Sequence, residues 1–353
     1  MRGVFYEKNI FDNCLCFIYC RLNAKSIKNN YGILLTENDV INLKNLGFSN
    51  EEIMNMPENV VNDNKNILSQ LIDNNTIYIK SVYIYEKNNA ILDESQGLIF
   101  NNNNYNLINI INTEITENEY QDIANDEFFD IVYNSNPQIH VTNAKKLTTS
   151  ISYISSIKQY RLKNELVWKK TPSYRGNDLF GISGPSATQI PVSGSQNAYG
   201  SWDDYDTCRL IHTSKNKQYT NKWYFQSEGY AVFFQIPKDY TEEIVWNTQY
   251  DNIPYPCKDG NIVLPVGSTT KMHTMSNMIF TFYYNVAKQN DGSSVNAFGS
   301  YQHTVKNLTL GTNFGLSLSP NGGLGGAFNI NASFSSYFDN MGGTHAQVLN
   351  PEW

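Results

Sequence analysis

The stretch MIFTFYYNV, residues 278–286, decides the fold class of this chain. Its large apolar side chains recur at every second position, from Met278 through Phe282 to Val286. Successive side chains of a β-strand point to opposite faces, so a period of two predicts a strand with one face turned to a core.

The same period of two recurs on both sides of this stretch. Turn-forming segments such as NDG at 290–292 and PNGG at 320–323 separate the runs. Strands with one apolar and one polar face are typical of antiparallel sheets packed face to face. We therefore predict a mainly β fold, an antiparallel β-sandwich (Ig-like or jelly-roll-like), over residues 147–345, with a barrel as second choice. The alternating runs are residues 147–153, 160–168, 230–236, 295–305, 308–318 and 328–334.

Two features of the pattern are less regular. The parity of the apolar residues switches between Phe225 and Tyr230, which predicts a β-bulge near Glu228 and Gly229. The run after residue 345 is short, and we assign residues 346–353 to a tail.

Residues that typically begin and end helices precede the sandwich. Thr36 is placed to cap a helix that ends at Gly47, and the segment SNEE at 49–52 is a capping box for a second helix that Pro57 ends. We predict a helical segment over residues 25–75, with another turn or two after Asn64. Residues 76–146 form a small mixed α/β region, with strands at 76–85 and 107–111, a short helix near 116–126 and a linker at 134–146.

The N-terminus has an unusual pattern. Residues 11–22 are semi-hydrophobic but make a poor signal peptide. Back-translated with AT-rich codons from Tyr6 and shifted by one nucleotide, the stretch reads MKKIFLIIVFVLFIV, a basic start followed by an apolar core. We hypothesise that residues 1–24 are the frameshifted remnant of a signal peptide; the alternative is a genuine short extension on a protein that is not exported.

Composition and cysteines bound the function classes. Charged residues make up 17% of the chain and the formal net charge is -7, a balance that predicts no nucleic-acid partner. Cys208 and Cys257 are a candidate disulfide pair, and two separate buried thiols are the alternative. Three further cysteines cluster at 14–20 without a nearby histidine, and we predict no metal site and no cofactor.

Three stretches carry a resemblance: LTENDVINLKNLGFSNEEIMNM at 35–56, LTTSISYISSIKQYRLKNELVWKKTPSYRGNDLFGI at 147–182, and SYQHTVKN at 300–307. Together they resemble uncharacterised exported proteins of low-GC Gram-positive bacteria, which look like a signal peptide, a short helical segment, a variable linker and a β-rich C-terminal half. The resemblance implies an extracellular or cell-surface location. It implies no activity.

The segment SWDDYD at 201–206 is the candidate binding site. We expect it to form an acidic loop, in which aromatic rings beside carboxylates can stack on a sugar or anchor a protein partner. The candidate residues are Trp202, Asp203, Asp204, Tyr205, Trp223 and Tyr224.

Catalytic motifs are not found. Ser183 lies in GISGP, where Pro185 replaces the glycine that a nucleophile elbow requires. The five histidines are scattered, and His303 shares the parity of Tyr301, which predicts partial burial. We expect a non-enzymatic protein.

The resulting expectation is an exported or surface-exposed β-sandwich that binds a glycan or a cell-surface protein. A first alternative is a pore-forming or membrane-acting secreted protein, because the runs at 308–318 and 327–334 alternate apolar residues with Ser, Asn, Thr and Gly, as membrane-spanning hairpins do. A second alternative is a structural or host-contact protein of a phage.

Overall fold

The computed structural model describes residues 26–87, 105–123, 132–133, 138–169, 172, 175–206, 211–219, 223–245, 268–305, 316–318, 328–330 and 338–353. These residues are mainly β, as predicted. The strands are β1 Ile27–Lys28, β2 Leu34–Leu35, β3 Ser69–Lys87, β4 Tyr105–Ile115, β5 Val132–Tyr133, β6 Gln138–Ile154, β7 Gln159–Trp168, β8 Asn177–Ser183, β9 Gln189–Pro191, β10 Asn197–Asp206, β11 Ile211–Gln218, β12 Trp223–Gln226, β13 Gly229–Gln235, β14 Tyr240–Val245, β15 Ser268–Lys288, β16 Ser294–Thr304, β17 Leu316–Leu318, β18 Phe328–Ile330 and β19 Phe338–Leu349. The helices are α1 Glu37–Asn45, α2 Asn50–Met54, α3 Glu58–Asn64 and α4 Glu117–Asp122.

Two antiparallel sheets form the sandwich. The larger sheet has the order β11-β10-β15-β7-β6-β3-β4, with β9 and β14 paired to β15 and β5 paired to β6. The smaller sheet has the order β12-β13-β8-β16-β19. Alternate residues of both sheets point into one core, where Phe282 and Tyr284 of β15 meet Phe180 of β8 and Tyr230 of β13. The period of two at residues 278–286 therefore marks a central strand of the larger sheet.

The last strand, β19, also packs across the sandwich against β3. The Asn75 side chain donates to the carbonyl of His345 (3.2 Å), and the backbone N–H of Gln347 donates to Asp73 (2.7 Å). The tail predicted at 346–353 is strand as far as Leu349. The residues beyond β19 are anchored as well, because the Trp353 indole donates to the Gly292 carbonyl (2.7 Å) and packs edge-on against Tyr160. The first long strand and the end of the chain are thus parts of one core.

A polar cluster joins the two sheets inside the core. Lys145 of β6 forms an ion pair with Asp339 of β19 (3.1 Å), and both side chains are buried. Tyr83 and Asn112 also donate to Asp339. Burial lowers the pKa of Lys145; burial also opposes the charge of Asp339, but the neighbouring ammonium lowers the pKa of that carboxyl overall. The pair is therefore a charged contact in a buried interface, and the charge of each partner is compensated by the other.

His303 belongs to the same interface. It is buried at 1% exposure, more completely than the partial burial predicted, and its Nδ1 lies 3.0 Å from Asp178. Tyr301 donates to the same carboxylate. The His303 ring packs edge-on against Trp168, so His303 is a core residue with its polar group hydrogen-bonded.

The helical segment covers the outer face of the larger sheet. Capping boxes at Thr36 and Ser49 begin α1 and α2, and Gly47 adopts φ +84° after α1, as predicted. Leu43, Phe48 and Val60 pack on Tyr199 and Tyr283 of the sheet. Among the described residues, no helix is long and apolar enough to cross a membrane.

Several local predictions were wrong. The linker predicted at 134–146 is strand from Gln138 onward, so the boundary predicted between residues 146 and 147 falls inside β6. The extra helical turns predicted after Asn64 give way to β3 at Ser69. The predicted bulge is a hairpin turn, since Gln226 pairs with Gly229 and β12 folds back on β13.

The strands at 76–85 and 107–111 and the helix near 116–126 are confirmed, in β3, β4 and α4. β3 and β4 pair with each other, and β3 pairs with β6 along its length, so the region before residue 147 supplies strands to the same sheet as the region after it.

Candidate functional site

A cleft of about 360 Å³ lies between the turn that joins α1 to α2 and the outer face of the larger sheet. We call it the α1–α2 cleft. Its lining is about equally polar and apolar, and its polar part mixes hydroxyl, amide, ammonium and carboxylate groups. The lining residues are Lys44, Gly47, Phe48, Ser49, Asn50, Leu71, Asn74, Thr76, Tyr78, Lys146, Thr148 and Glu165.

The floor of the cleft is a ladder of polar side chains on two central strands. Residues of β3 at every second position face residues of β6 across the sheet: Thr76 pairs with Thr148, and Tyr78 pairs with Lys146. The two threonine hydroxyls lie 2.9 Å apart and form a hydrogen bond. β6 has a neighbour on each side here, whereas β3 pairs with β4 only from Tyr78 onward, so the ladder is held by main-chain pairing between β3 and β6.

The wall of the cleft is the α1–α2 turn, which lies close to the sheet. A Cβ at Gly47 would stand 2.5 Å from the Ser150 hydroxyl, so both the close approach and the positive φ require glycine there. Phe48 is buried and meets Tyr283 edge-on, with ring centroids 5.9 Å apart. The turn is thus docked on the sheet, and Ser49 and Asn50 are presented to the cleft.

A buried charge network fixes α2 beneath the wall. The Lys163 ammonium lies 2.7 Å from Glu52, and the Thr281 hydroxyl donates to the same carboxyl (2.6 Å). Glu165 accepts from Lys146 (2.9 Å) and from the Ser49 hydroxyl (3.1 Å). The helix cap and the strand charges are therefore one connected unit.

The two carboxyls of this network differ in their pKa. Burial and the neighbouring Glu165 raise the pKa of Glu52 to about 8. Burial also opposes the charge of Glu165, but Lys163 and Lys146 together lower its pKa to about 2. The pair consequently carries one proton near neutral pH, and the proton belongs mainly to Glu52.

This arrangement favours binding over acid–base chemistry. Glu52 has 1% of its surface exposed and lies below the cleft, out of reach of a bound molecule. Glu165 lines the cleft, but Lys146 and Ser49 already hold it in one orientation. The cleft therefore offers fixed hydrogen-bond donors and acceptors.

The predicted acidic segment at 201–206 is strand β10, so the loop prediction was wrong. Its side chains alternate between faces. Trp202 packs against the core on the inner face, while Asp203 pairs in register with Ser214 on the outer one. Asp204 is buried at 4% exposure, accepts from Tyr240 and lies 2.7 Å from His273 Nδ1.

The other predicted site residues lie elsewhere. Tyr205 stacks on His212 at the outer edge of the larger sheet. Trp223 lies on β12 of the smaller sheet, where it packs against Phe282, and Tyr224 packs beside the apolar cluster on that sheet's opposite face. The structure does not gather the six residues into one patch. Cys208 and Cys257 lie outside the described residues.

A second feature lies on the outer face of the smaller sheet. β17 and β18 pair only with each other in the described part of the chain, and Leu316 and Leu318 pack onto an apolar cluster that includes Leu179 and Phe233. Gln226 of β12 bridges to β17: its amide donates to the Leu316 carbonyl (3.3 Å) and accepts from the Leu318 N–H (2.8 Å). One side chain thus replaces a strand neighbour for β17.

The residues that line the α1–α2 cleft were not predicted as a site from the sequence. The capping box at 49–52 and the alternation of Asn74, Thr76 and Tyr78 were the available signals. Neither signal tells which strand pairs with β3 or which helix covers it.

Comparisons with known proteins found no match to this chain. No family model matches the sequence, and no curated protein and no solved structure matches it. The resemblance to exported proteins of low-GC Gram-positive bacteria stays a prediction, and any function must be argued from the geometry.

Proposed function

We propose that this chain is an exported, non-enzymatic β-sandwich protein that binds a glycan in the α1–α2 cleft. The observation that carries the proposal is the polar ladder of Thr76, Thr148 and Tyr78 at the cleft floor, with Asn50 of α2 on the same lining. Sugar hydroxyls both donate and accept hydrogen bonds, and this lining does the same.

The shape and charge of the cleft support the same ligand class. An open concavity of about 360 Å³ suits one or two sugar rings. Lys44 and Lys146 on the lining, balanced by Glu165, fit a neutral or weakly acidic glycan. Tyr78 adds an aromatic ring of the kind on which a sugar face can stack.

Binding tests locate the site. We expect purified chain to be retained by Gram-positive cell-wall glycan. We expect Thr76→Val with Thr148→Val to weaken binding roughly thirtyfold, since two lost hydrogen bonds of about 1 kcal/mol each amount to about 2 kcal/mol. Titration calorimetry with solubilised glycan measures the change. Trp202→Ala, a change in the predicted patch on β10, serves as the matched comparison and leaves affinity unchanged.

Two results would contradict this proposal. Binding that is lost in Trp202→Ala but kept in the threonine variant would move the site to β10. No retention by any wall glycan, from a chain that unfolds cooperatively, would exclude the glycan.

We propose pore formation as a second candidate function, supported by the β17–β18 pair. Amphipathic strands that pack their apolar residues on the outside of a sandwich can exchange that surface for lipid, because apolar burial is similar in both states. The surrounding sequence alternates apolar and small polar residues. Gln226 is the polar contact that holds β17 on the sandwich.

Releasing this contact tests the second candidate. We expect Gln226→Ala to increase dye leakage from zwitterionic vesicles several-fold over the unmodified chain, because two main-chain groups of β17 lose their partner. Gln70→Ala, at an exposed position of β3, is the control and leaves leakage unchanged. Equal leakage from both variants and the unmodified chain, or none from any of them, would contradict pore formation.

A further inference from the structure

We propose that copies of this chain assemble head to tail, with the β4 edge of one copy pairing with the β11 edge of the next. The inference is independent of the cleft and of its ligand. It rests on the direction, level and charge of the two edge strands of the larger sheet.

Both edges of the larger sheet are open in the described part of the chain. β4 pairs there only with β3, and β11 only with β10. Edge strands carry main-chain groups that can pair with another chain, and natural proteins usually blunt them. β4 is eleven residues long, and Ile108 and Ile111 each expose 47% of their surface.

The direction of the two edges is the same. The path from β4 to β11 contains seven strands, counting both edge strands, and every neighbouring pair is antiparallel. An odd number of alternating strands leaves β4 and β11 running in one direction. A copy that continues the sheet without being inverted therefore joins β4 to β11 in parallel.

The charged parts of the two edges also lie at the same position along the strand direction. Glu114 near the end of β4 and Lys215 in β11 lie within one residue of the same row across the sheet, on its core-facing side. Across the sheet, Glu114 pairs in register with Ile79, Ile79 with Lys145, and Lys145 with Trp168. The residue before Trp168 continues the path to the other edge: Val167 pairs with Ile279, Ile279 with Ser201, and Ser201 with Asn216, the neighbour of Lys215.

The charges at this level are complementary. The end of β4 and the start of α4 expose three carboxylates, of Glu114, Glu117 and Glu119. The matching half of β11 exposes the ammonium groups of Lys215 and Lys217. Parallel pairing brings the acidic end of one edge beside the basic half of the other, whereas β4 against β4 would gain no charge pair.

Two contacts limit the junction. The Tyr31 hydroxyl already donates to the Lys215 carbonyl (2.6 Å), so Lys215 takes part through its side chain. The Ile110 N–H likewise already donates to the Asn109 side chain (2.9 Å), so main-chain pairing falls on residues 211–214 of β11 and on 111–113 of β4, beyond the bulge at Ile108. Each added copy leaves one open edge, and growth ends only where the assembly closes on itself.

Charge reversal tests the pairing. We expect the full chain to elute larger than a monomer in size-exclusion chromatography with light scattering, increasingly so with concentration. Glu114→Lys alone, or Lys215→Glu with Lys217→Glu, is expected to return it to the monomer. An equimolar mixture of these two variants should recover assembly, because each reversed edge then meets its complement.

The mixture separates the proposal from misfolding and from other partners. Recovery in the mixture supports the β4–β11 junction. The proposal is overturned by an unmodified chain that stays monomeric at every concentration, by association that neither variant weakens, or by a mixture of cooperatively folded variants that remains monomeric. Exchanging Glu37 for Lys on α1, away from both edges, is the control and leaves assembly intact.

Discussion

Replacing Lys145 with Ala is expected to lower the free energy of unfolding by roughly 3–5 kcal/mol, the usual cost of breaking a buried ion pair by removing one partner. The substitution leaves the carboxylate of Asp339 in the buried interface between the sheets. Tyr83 and Asn112 would still donate to it, but neither supplies a positive charge. Urea unfolding followed by tryptophan fluorescence measures the loss.

Two comparisons make this result specific. Lys80→Ala, at an exposed position of the neighbouring strand, is expected to change stability by less than about 0.5 kcal/mol. Lys145→Met combined with Asp339→Asn should cost less than either single change, because no charge is then left unpaired while the amide still accepts from Tyr83. A Lys145→Ala variant as stable as Lys80→Ala would show that the pair contributes nothing.

Raising the pH from 6 to 9 is expected to destabilise the unmodified chain, and Glu52→Gln is expected to abolish most of this loss. The pKa of Glu52 is raised from its usual 4.5 to about 8 in the folded state, so between these values the folded chain holds a proton that the unfolded chain releases. This contribution to stability is complete below about pH 4.5 and disappears as the pH rises through about 8.

Glu165 is expected to change the stability in the opposite direction, at the acidic end of the pH range. Its pKa is lowered to about 2, so its contribution is present above about pH 4.5 and is lost as the pH falls toward 2. Thermal unfolding at a series of pH values separates the loss of stability at alkaline pH from the loss at acidic pH. Glu58→Gln, an exposed change on α3, is the control, and identical pH profiles for Glu52→Gln and Glu58→Gln would contradict the assignment.

Local structure was largely predictable from the sequence. Alternation identified the strands around 278–286 and 295–305, because a strand buried on one face must alternate. Capping boxes located α1 and α2 almost to the residue, since Thr36 and Ser49 bond to groups only three positions away.

Pairing between distant strands was not predictable. Nothing local to residues 138–146 shows that they extend β6 and pair with β3, so this segment is predicted as a linker. The parity switch at 225–230 fits a bulge and a tight hairpin equally well, and only the register of Gln226 with Gly229 separates them.

The separation of the six candidate site residues was not predictable for the same reason. The six predicted residues were grouped by closeness along the chain, but neighbours in a strand face opposite ways, which sends Trp202 and Asp203 to different sides of β10. The cleft instead joins residues from 44–50, 71–78, 146–148 and 165, whose nearness follows from sheet order.

The contacts between β19 and β3 have a consequence for the order of folding. They join residues 270 and 274 positions apart, so this part of the core closes only after β19 has been synthesised. Chains dominated by such long-range pairs fold slowly. A chain that folds slowly leaves its unpaired strands exposed to solvent for longer, so β3 and its neighbours stay open to pairing with other chains until β19 is in place.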